Sequence, residues 1–417
     1  MFDEPKKQNW QNNRRKAGSV LVLAVFVVLI SLVIGTGLLM LGTQVRVAAI
    51  DKVHVIKACS AADAGLEYAV QQINNTVLDG TWSSSVLPTV ANSQLFDTDS
   101  TYSVTTQYNA ADGYTVQSIG ISKHRIRTVT AALRLKGLFD MAIQCRNNVI
   151  LKNGTRIEAI DSDISLNPDD TDQKAIIGTN SIEAGSIILN NNVVVDGDVV
   201  VGVGGDVKTV IKDLGAATLD RYSLTAEIDF PPVKSPDLTG PDTGIQIAKD
   251  EMTIGPGGDY PAVGRFSDVK LKNGTILRVI GKCTLYVTGN VDMGQSSEII
   301  IDSAGNASLT IYLDGNWISD NNAGVTNTTK STTAFQLYGT GGQGQIINLK
   351  AKGDLYGSVY APNAVLTVDS GGNIYGAFVG DSFELKNSAG FFYDAALQDV
   401  TVNDEGVRYV ISRWNEQ

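Results

Sequence analysis

Residues 19–41 read SVLVLAVFVVLISLVIGTGLLML, a run without a charge and with Ser31 and Thr36 as the only polar side chains inside it. At about 1.5 Å per residue, a helix of this length spans the roughly 30 Å hydrocarbon core of a bilayer. It is apolar on every face, whereas a helix on the edge of a soluble core is apolar on one. Arg14, Arg15 and Lys16 stand directly before it. Positive charge marks the cytoplasmic flank, so the N-terminus is expected inside and everything after the run outside. The competing reading is a cleavable secretory signal with Val47-Ala48-Ala49 as its cut site, but such signals have apolar regions of only about 7–15 residues. The expected organisation is a basic leader at 1–18 and a transmembrane helix at 19–41. This makes a single-pass protein of the inner, or cytoplasmic, membrane with a periplasmic or extracellular body.

No Gly-Pro break follows the span. Val45, Ala49, Val53, Ile56, Cys59, Ala62, Leu66, Ala69 and Ile73 recur every three or four residues, while Asp51, Lys57, Asp63, Glu67 and Gln71 occupy the other side. That spacing predicts an amphipathic stalk helix over 42–78, with turn-forming Asp79-Gly80 just beyond it. Such a helix packs against a globular head or against copies of itself.

Together these residues carry a resemblance. The basic tail, Gly18 at the membrane edge, the apolar span and the AADAGLEYA segment at 61–69 resemble the N-terminus of type IV minor pilins of the PilX type. The resemblance covers about the first 75 residues. It implies cleavage by a prepilin peptidase between Gly18 and Ser19, with Ser19 as the first mature residue. It also implies packing of the helix with other pilins and contact with the pilus assembly machinery and membrane lipid. Leu23 stands at the fifth mature position, where major pilins carry glutamate, so the Glu–amine contact that docks a major subunit is not available here.

Beyond residue 79 no long helical period returns. Residues 101–137 alternate in character between turn signals at 109–113 and Gly120, which predicts a three-strand antiparallel meander in a small module at 79–137, lying over Leu66, Ala69 and Ile73. From 138 to 417 short Val, Ile and Leu runs are punctuated by Gly, Asn and Asp. LKNGT occurs at 151–155 and again at 271–275, and LYGSV at 355–359 is echoed by IYGAF at 374–378. Short repeats of strand and corner predict a right-handed β-solenoid-like body, with a β-sandwich as the alternative. Six of the chain's prolines fall at 215–265, which is read as an irregular insertion. The fold class expected is therefore mainly β with one long N-terminal helix.

The chain of 417 residues has a net charge of −11. Five basic and two acidic side chains in 1–18 leave −14 for the rest. Such a surface repels phosphate backbones, so nucleic acid is not an expected partner. Cys59, Cys145 and Cys283 show no metal or redox spacing, and Cys145 and Cys283 are read as buried thiols rather than a disulfide.

Sites for chemistry are sparse. His54 and His124 are the only histidines and neither has a nucleophile motif beside it. GTGGQG at 339–344 has the letters of a dinucleotide loop but runs into a strand-like segment, so it is read as a turn. The 161–172 segment DSDISLNPDDTD carries Asp161, Asp163, Asp169, Asp170 and Asp172. Calcium is the cation their oxygens would suit, although the spacing misses the known loop patterns and a solvated loop is the plainer reading. Solenoids that cleave acidic polysaccharides pair such carboxylates with a basic residue, for which Arg156 is the neighbour. Fold analogy alone does not make an enzyme, and none is expected, nor any cofactor. Tyr338, Tyr356, Tyr360, Tyr375, Phe378, Phe391, Phe392 and Tyr393 either fill the body or offer a platform to a surface glycan. The sequence thus favours a structural and adhesive, minor-pilin-like subunit over a membrane-tethered polysaccharide enzyme or a plain surface scaffold.

Overall fold

A computed structural model describes residues 14–238, 243–386 and 388–417, with side chains from Val20 onward. Residues 1–13 of the expected 1–18 leader lie outside the described residues, and its remainder opens the helix. By compactness the chain falls into two units. One holds the helix through Thr76, Trp82–Arg134 and Tyr409–Gln417, and the other Val77–Thr81 and Leu135–Arg408.

The first unit is built on one 65-residue helix, α1 (Arg14–Leu78). Four strands follow it, β1 (Val90–Gln94), β2 (Thr101–Asn109), β3 (Gly113–Ser122) and β4 (Arg125–Lys136). The C-terminal strand Arg408–Glu416 joins beyond β4, which makes a five-stranded sheet in chain order. The three-strand meander is therefore correct at its centre, but the last nine residues belong here and not to the body. Asn74 ties that strand to the helix, donating from Nδ2 to the Tyr409 carbonyl at 3.0 Å and accepting the Tyr409 N–H at 2.7 Å.

Small residues let helix and sheet meet closely. Ala58, Ala61, Ala62, Leu66, Ala69 and Ile73 are buried, facing Val104, Val116, Val129 and Ala131 of the sheet. A Cβ on Gly120 of β3 would lie 2.0 Å from the Ala58 carbonyl oxygen, so glycine alone fits there. Gly65 faces Ser118 and Tyr102 under the same restriction. The expected stripe is only half right. Ala62, Leu66, Ala69 and Ile73 are buried, whereas Val45, Val53 and Ile56 are exposed, and His54 and Ala58 take the inward positions. The inward stripe of a straight helix drifts slowly around its axis, so one spacing does not hold for 30 residues.

The body is solenoid-like, and its strands pair in parallel to form three ladders. One ladder runs Val263–Phe266, Lys282–Val287, Ser308–Leu313, Phe335–Gly339 and on to the start of Ser358–Ser370 and of Phe378–Leu385. It then continues into Ile143–Cys145, Ile177–Thr179, the end of Val194–Val201 and the end of Ala217–Ser223. Coil order in space is therefore not chain order. The chain enters mid-ladder at 143, winds outward to 223, returns to the far end, and winds back from 245 until 378–394 stacks on 143–160. Parallel pairing throughout rules out the sandwich, whose sheets are antiparallel.

Both sequence repeats mark equivalent corners. In LKNGT the leucine ends a strand and the next four residues turn, with Gly154 and Gly274 at φ +73° and +71°. The same four-residue corner recurs with Asn192, Ser296 and Asn322 at the positive-φ position. In each, the fourth residue donates its N–H to the first carbonyl, as Thr155 does to Lys152 and Ala323 to Asp320, both at 3.2 Å. That fourth residue is buried, whether Thr155, Val193, Thr275, Ser297 or Ala323. The LYGSV echo is one coil laid on the next, with Leu355 opposite Ile374 and Tyr356 opposite Tyr375. The expected insertion at 215–265 is too long. Ile211–Asp213 and Ala217–Ser223 complete one end of the ladders, and Ile245–Ile247, Glu251–Ile254 and Val263–Phe266 complete the other. Only 224–244 is a connection, of which 239–242 lie outside the described residues. Proline marked the corners as well as the connection, which blurred its limits.

The connection runs back along the coils. Asn180 brackets Ile228, donating to its carbonyl and accepting its N–H, each at 2.8 Å. Arg146 lies over the Phe230 ring at 4.8 Å, and the Tyr360 hydroxyl donates to the Pro231 carbonyl at 2.7 Å.

Two outcomes test this fold. A fragment starting at residue 44 keeps the sheet's helix and folds as a soluble β-rich protein, whereas one starting at 80 exposes Val116 and Val129 and aggregates, as read by size exclusion and far-UV circular dichroism. Gly120→Ala costs about 1–3 kcal/mol, seen as an earlier thermal melt. Gly353→Ala, where a Cβ meets nothing within 4 Å, leaves the melt unchanged.

Candidate functional site

The exposed half of α1 is the part of the molecule whose surface demands a partner. From Val20 to Ile50 its side chains are exposed all round, Gly35 alone being half-buried. This helix is long and apolar enough to cross a membrane. Gly18 and Ser19 lie within it, but their side chains are outside those described. Past the 19–41 span, Val45, Val47, Ile50, Val53 and Ile56 remain uncovered at 68, 62, 50, 50 and 64% exposure. These residues extend the exposed apolar surface past the run that is long enough to span a bilayer.

Just where the sheet begins to cover α1, polar groups fasten it. Asp51 accepts from Arg125, and His124 Nε2 lies 3.1 Å from its other oxygen. His54 Nδ1 shares a hydrogen bond with Ser122 Oγ at 3.1 Å, and Lys57 pairs with Asp99 at 3.0 Å. The Arg125 hydrogen bond holds Asp51 below the ordinary carboxylate range, with His124 assisting. Its contribution is thus present above that range and is lost as pH falls through the lowered value. The sequence placed His54 and His124 on separate elements and gave no sign that their rings come within 6.3 Å. His124 sits in the turn between β3 and β4. Ser122, the partner of His54, is buried.

The other singled-out residues are dispersed. Asp161 closes a turn, accepting the Asp163 N–H at 3.1 Å, and Asn167 caps the short 3-10 helix Pro168–Asp170. Among the described residues no three His, Cys, Asp or Glu side chains converge as a cation site, and these five aspartates are used as loop residues. Arg156 is paired with Glu158. Gly339 ends a strand and residues 340–344 form a turn, closed by the Gln345 N–H donating to the Gly342 carbonyl at 3.2 Å. Cys145 and Cys283 are free and buried. They stand five coils apart, about 24 Å at the spacing of paired strands, far beyond disulfide reach. Burial pushes both thiols up, Cys283 to about 11.

Apart from Tyr338 and Tyr360, which lie in register with Tyr312, the C-terminal aromatic residues divide into two sets. Phe378, Phe383 and Phe391 pack edge-on inside the coils at 5.5–6.2 Å, and Tyr393 is buried with its hydroxyl on the Phe139 carbonyl. Tyr356, Tyr375 and Phe392 stack along one ladder at 4.4 and 4.9 Å. Both faces of the central ring, Tyr375, are covered by its neighbours, so it offers no ring face to a sugar.

The comparisons with known proteins add the following. A model described as a domain of unknown function (DUF7305) matches residues 245–400, which are the second block of coils and the segment after it. No curated protein matches the chain. Among solved structures it matches the competence-associated pilin ComZ from Thermus thermophilus at 14% identity, over 87% of this chain and 97% of that one, with a TM-score of 0.24. At that score the two structures do not superpose as wholes, and the fold described above stands on its own strand pairings.

Because Ile50 and Ile56 are exposed, Ile50→Glu and Ile56→Glu change stability by no more than about 0.5 kcal/mol. Leu66→Glu, at a buried position, costs about 3 kcal/mol or more. Thermal melts of the 44–417 fragment measure all three.

Proposed function

We propose that this protein is a minor-pilin-like subunit of a type IV pilus or related filament, with its N-terminus cytoplasmic and a non-catalytic, β-helical body displayed outside. The observation that carries the reading is the division of α1. One continuous helix is bare and apolar through Ile56, apart from scattered polar residues, and is covered on one face by a small antiparallel sheet from His54 onward. A subunit that must rest in a bilayer and later pack its helix among others needs that division. The PilX-type features of the first 75 residues support it, with Gly18 and Ser19 as the processing site of a prepilin peptidase.

Leu23 in place of glutamate leaves the start of the helix wholly apolar. It avoids an unpaired buried charge and forgoes the pairing that positions a repeating subunit. The role proposed is accordingly a sparse one, at a tip or in priming, with the body making adhesive contact. Arg156 is already occupied by Glu158 and the aspartates do not converge, which supports the non-catalytic reading.

The mature N-terminus is expected to be Ser19, read by mass spectrometry of the membrane-extracted protein. An intact leader in cells with active peptidase reduces the protein to a signal-anchored scaffold. Sheared filaments should carry the protein at rare sites by immunogold labelling, and Ile50→Glu with Ile56→Glu should remove it from them.

A further inference from the structure

Along the ladder through Lys282–Val287, Ser308–Leu313 and Phe335–Gly339, outward side chains form two rows. In the first, Tyr286, Tyr312, Tyr338 and Tyr360 stand in direct register. This row is closed. The Tyr286 hydroxyl donates to Asp314 at 2.7 Å and the Tyr312 hydroxyl to Glu405 at 2.9 Å, and the rings of Tyr312 and Tyr338 stack at 5.1 Å. Burial raises the Glu405 carboxyl above its ordinary range, with Tyr312 opposing the shift.

The second row is open. Thr284, Thr310 and Gln336 are in direct register and half-buried, and the row continues into fully buried Ser358. Ser358 Oγ has no hydrogen-bond partner among the described residues. The side chains of Thr284, Thr310 and Gln336 likewise have no partner among the described residues. These three line a cleft of about 340 Å³, whose other wall is the segment after the last coil, with Asp399, Asn403 and Asp404.

The geometry points to a binding site for an uncharged oligosaccharide in this cleft. Neighbouring parallel strands repeat at about 4.8 Å, so the row presents hydroxyl, hydroxyl and amide at intervals close to the length of one pyranose unit. Hydroxyl and amide groups both donate and accept, as the hydroxyls of a sugar do. The volume lies at the low end of ordinary ligand pockets and suits about two such units. Asp399 and Asp404 with no basic residue in the lining disfavour uronates and other polyanions. The aromatic stack on the neighbouring ladder belongs to the residue set that the sequence suggests for a glycan, but its central ring is covered on both faces, whereas this polar row has no protein partner.

The inference rests on the adhesive reading of the body and names what the body holds. It is tested on the full chain in micelles of a detergent without a sugar headgroup. Saturation-transfer NMR and calorimetric titration use cellotetraose and chitotetraose as neutral probes and tetragalacturonate as the anionic one. Expected are saturable binding of at least one neutral probe, no binding of tetragalacturonate, and at least a tenfold loss of affinity in Thr310→Val/Gln336→Leu. Should that variant melt early, Asp399→Arg at the exposed rim gives the same loss without touching the coils. Absence of neutral binding, equal binding of the anionic probe, binding only of peptides, or affinity unchanged in both variants overturns the site. A chain that still matures at Ser19 and labels filaments after such a failure leaves the pilin-like reading intact, so the two failures are distinguishable.

Discussion

A short strand in a coil cannot satisfy its own backbone, and every rung of the body depends on the rung beside it for its N–H and C=O partners. That demand is most consequential where 378–394 meets 143–160. Phe378 pairs with Ile143, Phe383 with Val149 and Phe391 with Ile157. These pairings join two blocks that are separate in sequence into one continuous set of ladders, with phenylalanines of the later block filling the interior at the junction. Without them each block would end in an open parallel edge. The connection at 224–244 must then return the chain along the outside, which is why Asn180, Arg146 and Tyr360, on three different coils, each hold a residue of it.

The junction also fixes the outer surface. Coil on coil in register places identical chemistry in rows, so a tyrosine row and a hydroxyl row arise from residues about one coil apart in sequence. One row is closed by the segments that pass over it and the other is left open. The family model that matches 245–400 begins at the first strand of the second block and ends just past its last. That block supplies all three open members of the polar row, and the segment that follows it supplies the facing wall of the cleft.

In the first unit the governing feature is close approach. Gly65 and Gly120 remove the side chains that would hold helix and sheet apart, and the alanines around them complete a surface on which the sheet lies flat. The covering begins at His54, fastened by Asp51, Arg125 and Lys57, and leaves the preceding apolar turns bare. A single helix therefore serves two environments in succession, and the boundary between them is set by where the sheet's first hairpins reach.

The sequence by itself determined the local features. The charge-free run at 19–41, its basic flank, the unbroken helix to residue 78 and the strand-and-corner texture of the body are all properties of neighbouring residues, governed by hydrophobicity, period and turn chemistry. LKNGT foretold a repeated corner because a positive-φ third position is a local requirement that Gly and Asn meet. The tertiary structure decided what depends on long-range pairing. It alone set the permuted order of the coils, the transfer of the last strand to the first unit, the meeting of His54 with His124, and the separation of Cys145 from Cys283. It also decided which face of the stalk is inward, since Val53 and His54 differ by one residue and only the sheet's position chooses between them. Parallel ladders carry no signature in the sequence of which rung lies beside which, because any apolar strand of suitable length can accept the same backbone hydrogen bonds. The choice is made by the fit of side chains such as Phe378 against Ile143, and that fit exists only once the coils are stacked.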